Sequence, residues 1–103
     1  MKSRRAKACD FTREAKAAIY ERDHGLCILC GKPCQPNAHF IPRSQGGLGI
    51  EENGLTLCWP CHQKYDNSPA RPVLKEVFRG YLMEFYPGWD EKKLYYDKYG
   101  GRK

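Results

Sequence analysis

Apolar positions recur at helical spacing from residue 11 onward. Phe11, Ala15, Ala18 and Ile19 fall on one stripe with Arg22, which predicts a helix over residues 11–25. Asp10 or Thr12 is placed to cap its first turn, and Gly25 stands where a left-handed C-terminal cap belongs. His24, in the last turn, reads as a surface residue complementing the helix dipole. The period then shortens. Ala38-His39-Phe40-Ile41 has the character of a short strand halted by Pro42, and Leu55-Thr56-Leu57 that of its return strand. Pro60 suits the first turn of a helix running through Cys61, His62, Tyr65 and Asp66. A last helix is predicted over residues 70–87, where Val73, Leu74, Val77, Phe78, Tyr81, Leu82 and Phe85 form a wide apolar face. An aromatic face of this kind is core or a partner surface rather than a ligand box. Pro87-Gly88 ends the helix and opens the C-terminal tail, 88–103, in which Asp90 is placed to cap a short turn through Leu94 and the stretch from Tyr95 to Lys103 reads as loosely held.

Between the two strands, residues 43–54 carry Gly46, Gly47, Gly49 and Gly54, the make-up of a long pliable loop. Such loops inside compact domains tend to be functional. The local order is therefore strand, loop, strand, helix. The fold class is α+β: a single domain over residues 1–103, its core at 26–67 flanked by an N-terminal and a C-terminal helix.

A chain of 103 residues buries only a modest apolar core, and a metal staple commonly makes up the deficit. Four of the six cysteines form two C-x-x-C pairs, Cys27/Cys30 and Cys58/Cys61, with 27 residues between Cys30 and Cys58. The opening MKSRRAKACD has nothing of a signal peptide, and no apolar run of membrane-spanning length occurs. Paired cysteines in such a context read as metal ligands in a reducing cytoplasm, the host's if the protein is phage-encoded. Each pair forms one knuckle, and two knuckles complete a closed tetrahedral Zn²⁺ site with no open position for hydrolysis. Zinc here is scaffold. Cys34, in CILCGKPC, is an alternative to Cys30 as a ligand, and Cys9 is a bystander thiol. Trp59, between the second pair's cysteines, either shields the zinc or stacks on a base.

The net charge of +6 falls to about +4 once four thiolates hold one Zn²⁺ (−4 + 2), and it points to a polyanionic partner. Residues 1–10, with Lys2, Arg4, Arg5 and Lys7 and no acid before Asp10, read as a basic flexible tail, solvated or ordering on phosphates.

Inside the zinc frame stand His39, Asn53 and His62. The run C-x-x-C-G…A-H-F-I-P-R-S-x-G-G…N-G-L-T-L-C-x-x-C-H over roughly residues 22–67 closely resembles the zinc-bearing HNH endonucleases, especially small phage-encoded ones. The resemblance implies a ββα-metal (His-Me finger) fold and metal-dependent DNA hydrolysis. It casts His39 as general base, His62 as metal ligand and Asn53 as the brace that keeps the base oriented. A neutral imidazole titrating near 6.5 suits proton abstraction at neutral pH, and one divalent cation stabilises both the phosphorane charge and the leaving oxygen.

One departure matters. Many HNH enzymes carry a metal-binding Asp, His or Glu just before the base, where this chain has Ala38. Asp66 lies four residues after His62, one helical turn away on the same face. The expected holders of a catalytic Mg²⁺ or Mn²⁺ are therefore His62 and Asp66, with Asp66 as a plain surface acid the competing reading. Arg43, Lys64, Arg4 and Arg5 are the candidate phosphate contacts. The expected partner is DNA bound chiefly through its backbone, and resemblance to phage proteins raises a packaging protein such as terminase as a further partner. The competing functions are a catalytically inactive zinc-containing DNA-binding module and a zinc-stabilised interaction protein using the face around Phe78 to Phe85.

Overall fold

The computed structural model describes residues 3–96. Helix α1 (Arg4–Cys9) is followed by α2 (Arg13–Arg22), strands β1 (Ala38–His39) and β2 (Gly54–Leu55), α3 (Trp59–Asn67) and α4 (Arg71–Phe85). The strands pair antiparallel with Ala38 opposite Leu55 and His39 opposite Gly54. Hydrogen bonds from Asn37 N–H to Leu55 O and from Phe40 N–H to Asn53 O carry the ladder past both ends. Helix α3 follows directly, so the centre of the molecule is a ββα-metal unit with α2 and α4 packed around it.

Local chemistry sets the helix ends. Thr12 Oγ1 accepts from Ala15 N–H and opens α2. His24 and Gly25 both turn left-handed after it, at φ 59° and 65°. Gly25 N–H reaches back to Tyr20 O at 2.9 Å, satisfying a carbonyl the helix end would otherwise orphan. Pro60 occupies the first turn of α3, where a missing N–H costs nothing. Asp90 caps the turn Glu91–Leu94 through Lys92 N–H.

The core joins Phe40, Ile41, Leu55, Leu57, Tyr65, Phe78, Leu82 and Leu94 to Cys27 and Cys58. Tyr65 O–H donates to Phe40 O at 2.9 Å, locking α3 to the strand that carries His39. The apolar face of α4 is only half used: Phe78 and Leu82 are buried, while Val73, Val77 and Phe85 stay exposed. Helical spacing alone does not say how wide a neighbour the face will meet.

Three expectations are corrected. Residues 3–10 are not a flexible tail. Ser3 Oγ caps α1, Cys9 is buried, and Gly49 N–H donates to Ala8 O at 2.9 Å. The 43–54 loop is not slack, because it is pinned from both sides. A Cβ on Gly49 would sit 2.1 Å from Asp10 O and one on Gly47 1.7 Å from Ile41 O, so these glycines permit close approach of backbones. On the far side Leu48 N–H donates to Leu94 O and Tyr96 N–H to Gly46 O. The third correction follows: Tyr95 and Tyr96 are not loose, since Tyr95 bridges to Gly47 just after buried Leu94, and Trp89 Nε1 donates to Glu52 O ahead of them. Lys2 and the remainder of the tail, 97–103, lie outside the described residues.

Arg22 joins these layers. Its guanidinium takes both Asp23 carboxylate oxygens at 2.7 and 2.8 Å and donates to Glu51 O, Gly54 O and the Tyr86 hydroxyl. The forked geometry of Arg allows one side chain to fix α2, the approach to β2 and the end of α4 at once.

Candidate metal centres and catalytic cleft

The two knuckles meet. The Sγ atoms of Cys27, Cys30, Cys58 and Cys61 all lie within 4.8 Å of one another, and no other such cluster of potential ligands occurs among the described residues. Sulfurs at about 2.3 Å from a tetrahedral zinc stand about 3.8 Å apart, so the cluster fits the ion with small adjustment. Burial pushes the Cys27 thiol up, but N–H groups of Cys58, Cys30 and Leu29 aimed at its sulfur outweigh it and bring it down to about 6, the thiolate a metal requires. Cys34 is not part of the cluster, which leaves Cys30 in the ligand set. Cys58 is also the N-cap of α3, with its carbonyl accepting from His62 N–H at 2.8 Å. The metal scaffold therefore sets the start of the helix that carries His62.

An open cleft of about 490 Å³ lies between the strands, the loop after β1 and α3, with His39, Arg43, His62, Asp66 and Arg71 in its wall. His39, at the end of β1, stacks on Phe11 with ring centroids 4.1 Å apart and 26° between planes. Its Nε2 lies 2.7 Å from Cys9 O. A carbonyl only accepts, so Nε2 carries the proton and Nδ1 the free lone pair. Burial holds this imidazole below its ordinary 6.5. The positive charge of Arg43 acts the same way, against the Cys9 carbonyl and Asp10. His39 is thus neutral at physiological pH.

His62 Nε2 and Asp66 Oδ2 are 3.0 Å apart, one turn from each other along α3. Two ligands at neighbouring corners of an octahedron with bonds of about 2.1 Å are separated by about 3.0 Å, so the pair fits a Mg²⁺-type ion. Ala38 is fully buried and offers it nothing.

Asn53 is fully buried and makes three hydrogen bonds. Its Oδ1 accepts from Ile41 N–H at 2.7 Å, and Nδ2 donates to Ile41 O at 3.2 Å and Leu48 O at 2.8 Å. It ties the strand just past His39 to the middle of the loop. Asn53→Asp would replace both donated bonds by carboxylate oxygens facing carbonyls. We expect a loss of about 3–5 kcal/mol in urea unfolding of the zinc-loaded protein, and about half that for Asn53→Ala. A change below about 1 kcal/mol for Asn53→Asp would refute the bracing role.

The cationic residues divide. Arg43 lines the cleft and is salt-bridged to Asp10. Arg5 donates to the carbonyls of Arg43 and Ser44, which fixes the turn Arg43–Gln45. Arg4 lies exposed on α1, and Lys64, two positions after His62, is exposed and does not line the cleft. Arg71 is a cleft residue that sequence reasoning passed over as merely the start of α4. It lies over the Tyr65 ring at 4.2 Å, donates to Tyr65 O at 3.0 Å and stands 3.8 Å from Asp66 Oδ1. Only the fold brings it beside His62.

Fold and site together define a nuclease-type or DNA-binding zinc module of the ββα-metal class. Residues 27–68 match the family model described as HNH endonuclease. The chain is also 34% identical over 55 residues to Anaredoxin of Nostoc sp. (strain PCC 7120 / SAG 25.82 / UTEX 2576), an alignment covering 52% of this chain and 72% of that protein. The chain belongs to the HNH endonuclease family, and nucleic acid is the interaction that membership implies. Among the described residues no helix is long and apolar enough to cross a membrane.

Proposed function

We propose that the protein is a metal-dependent DNA endonuclease that hydrolyses phosphodiester bonds, with His39 as general base. The observation that carries this reading is the 2.7 Å contact of His39 Nε2 with Cys9 O, which leaves Nδ1 as the basic nitrogen in a cleft shared with His62 and Asp66. A base with a fixed tautomer and a depressed pKa is ready to take a proton from water at neutral pH. His62 and Asp66 would hold Mg²⁺ or Mn²⁺, which when bound stabilises the charge on the phosphoryl oxygens and the departing sugar oxygen. Arg43 and Arg71, which line the same cleft as His62 and Asp66, supply forked donors that orient the phosphate. Asn53 keeps the strand behind His39 from shifting.

Buried Ala38 supports a second reading, a DNA-binding zinc module without activity, because the position that commonly supplies a metal ligand is sealed in the core. Supercoiled plasmid separates the two. Nicking is expected with added Mg²⁺ or Mn²⁺, and it should fall at least tenfold in Asp66→Ala at limiting metal. Wild-type protein that shifts plasmid in a gel yet leaves it supercoiled with Mg²⁺, Mn²⁺ and Ni²⁺ would establish the binding module instead.

A further inference from the structure

Trp59 is 69% exposed, the most solvent-accessible of the large apolar side chains among the described residues. Tryptophan is usually well buried, so an open indole on a rigid element calls for a ligand. Spacings of three and four residues along α3 put Trp59, His62 and Asp66 on one stripe. The indole stands edge-on to the His62 imidazole, with centroids 6.4 Å apart and 86° between planes. Most of the residue is open to solvent, at the start of the stripe whose His62 and Asp66 line the cleft. Trp59 follows Cys58, the N-cap of α3 and a member of the cysteine cluster, so a metal held there would anchor the backbone that carries the ring.

We infer that Trp59 is a stacking platform for an unpaired base adjoining the phosphate held between His39 and His62. The preferred substrate is then a nucleic acid with a single-stranded nucleotide at the cut position: a gap, an overhang, a junction or a single strand. This rests on the proposed reading of the cleft as a phosphate site. In a continuous duplex both faces of every base are covered by neighbours, and an aromatic ring gains nothing unless it first unstacks one. An unpaired base offers its face at no such cost, and aromatic stacking with flanking cations is how single strands are commonly held. Arg43 and Arg71 in the cleft and a net charge of +6 favour a polyanionic strand over an apolar protein partner.

The test uses the full-length zinc-loaded protein without added divalent ion. Binding of a single-stranded oligonucleotide, a gapped duplex and a continuous duplex is followed by fluorescence anisotropy of labelled DNA. Trp59→Ala is expected to weaken binding to the first two about tenfold and to leave the third within about twofold, while Trp59→Phe retains most of the affinity. In the same titration, tryptophan emission should be quenched by single-stranded DNA in the wild type, and the quenching should vanish in Trp59→Phe. Trp89 remains in every variant, with its indole N–H bonded to Glu52 O. Zinc content and far-UV circular dichroism check that the variants are folded. Equal losses on all three DNAs, no loss on any, no binding by the wild type, or unquenched emission at saturation would each overturn the inference. Failure of the plasmid assay would sink the nuclease reading without touching these affinities.

Discussion

Removing the cysteine-bound metal is expected to unfold the protein rather than merely inactivate it. Zinc-finger peptides gain about 10–16 kcal/mol from the ion at neutral pH, whereas a domain of this size is stable by about 5–15 kcal/mol in all. The core holds Cys27 and Cys58 themselves, so the ligands are part of the apolar cluster and not an appendage to it. Without the metal, thiolates or thiols would crowd within 4.8 Å of each other in a half-buried site, and Cys58 would no longer fix the start of α3. Titration with a strong chelator, followed by near-UV circular dichroism and zinc release, should show loss of metal and loss of tertiary signal in one step. Cys58→Ser should be insoluble or unfolded at ambient temperature. A zinc-free protein that keeps a cooperative melt within a few degrees of the loaded one would refute the scaffold role.

The second large effect is catalytic. On the proposed reading, His39→Ala should lower plasmid nicking about 10²–10⁴-fold, the usual worth of a general base, while zinc content and DNA affinity stay close to wild type. The pH profile gives the sign. Activity needs neutral imidazole, and burial lowers the His39 pKa, so the rate should rise with pH through an inflection below 6.5 and level off by neutrality. Below that inflection the ring is protonated and the rate falls about tenfold per pH unit. His39→Ala should lose this limb altogether. An acid limb that survives the substitution unchanged, or one centred above 6.5, would remove His39 from the role.

The parts of this molecule visible in the sequence are those built from short-range chemistry. Two C-x-x-C pairs announced the cysteine cluster because each knuckle is a local turn. Thr12, Gly25, Pro60 and Asp90 marked helix ends because capping is decided within a few residues. The order strand, loop, strand, helix followed from a change of period at Ala38 and again at Pro60. Long-range contacts left no comparable trace. Nothing in residues 1–10 distinguishes a solvated basic arm from a helix whose last carbonyl meets His39, because the distinction depends on chain 30 residues away. Arg22 sat on an apolar stripe without revealing that Glu51, Gly54 and Tyr86 would gather on it. Arg71 entered the cleft only through the turn between α3 and α4. Glycines at 47 and 49 read as slack, although close backbone approach was their use.

The helix α1 changes what counts as the minimal unit. The segment matched to the HNH family, residues 27–68, contains the zinc ligands and all three motif residues. It lacks both the carbonyl of Cys9 and the ring of Phe11 that grip the imidazole. Cut out alone, that segment would leave the imidazole without the acceptor that selects its tautomer and without the ring it stacks on. On the proposed reading the motif supplies the reagents, and a neighbouring stretch of ordinary sequence supplies the orientation of one of them. On the proposed reading, removing the residues ahead of position 10 would therefore act on the reaction itself, through a single backbone oxygen.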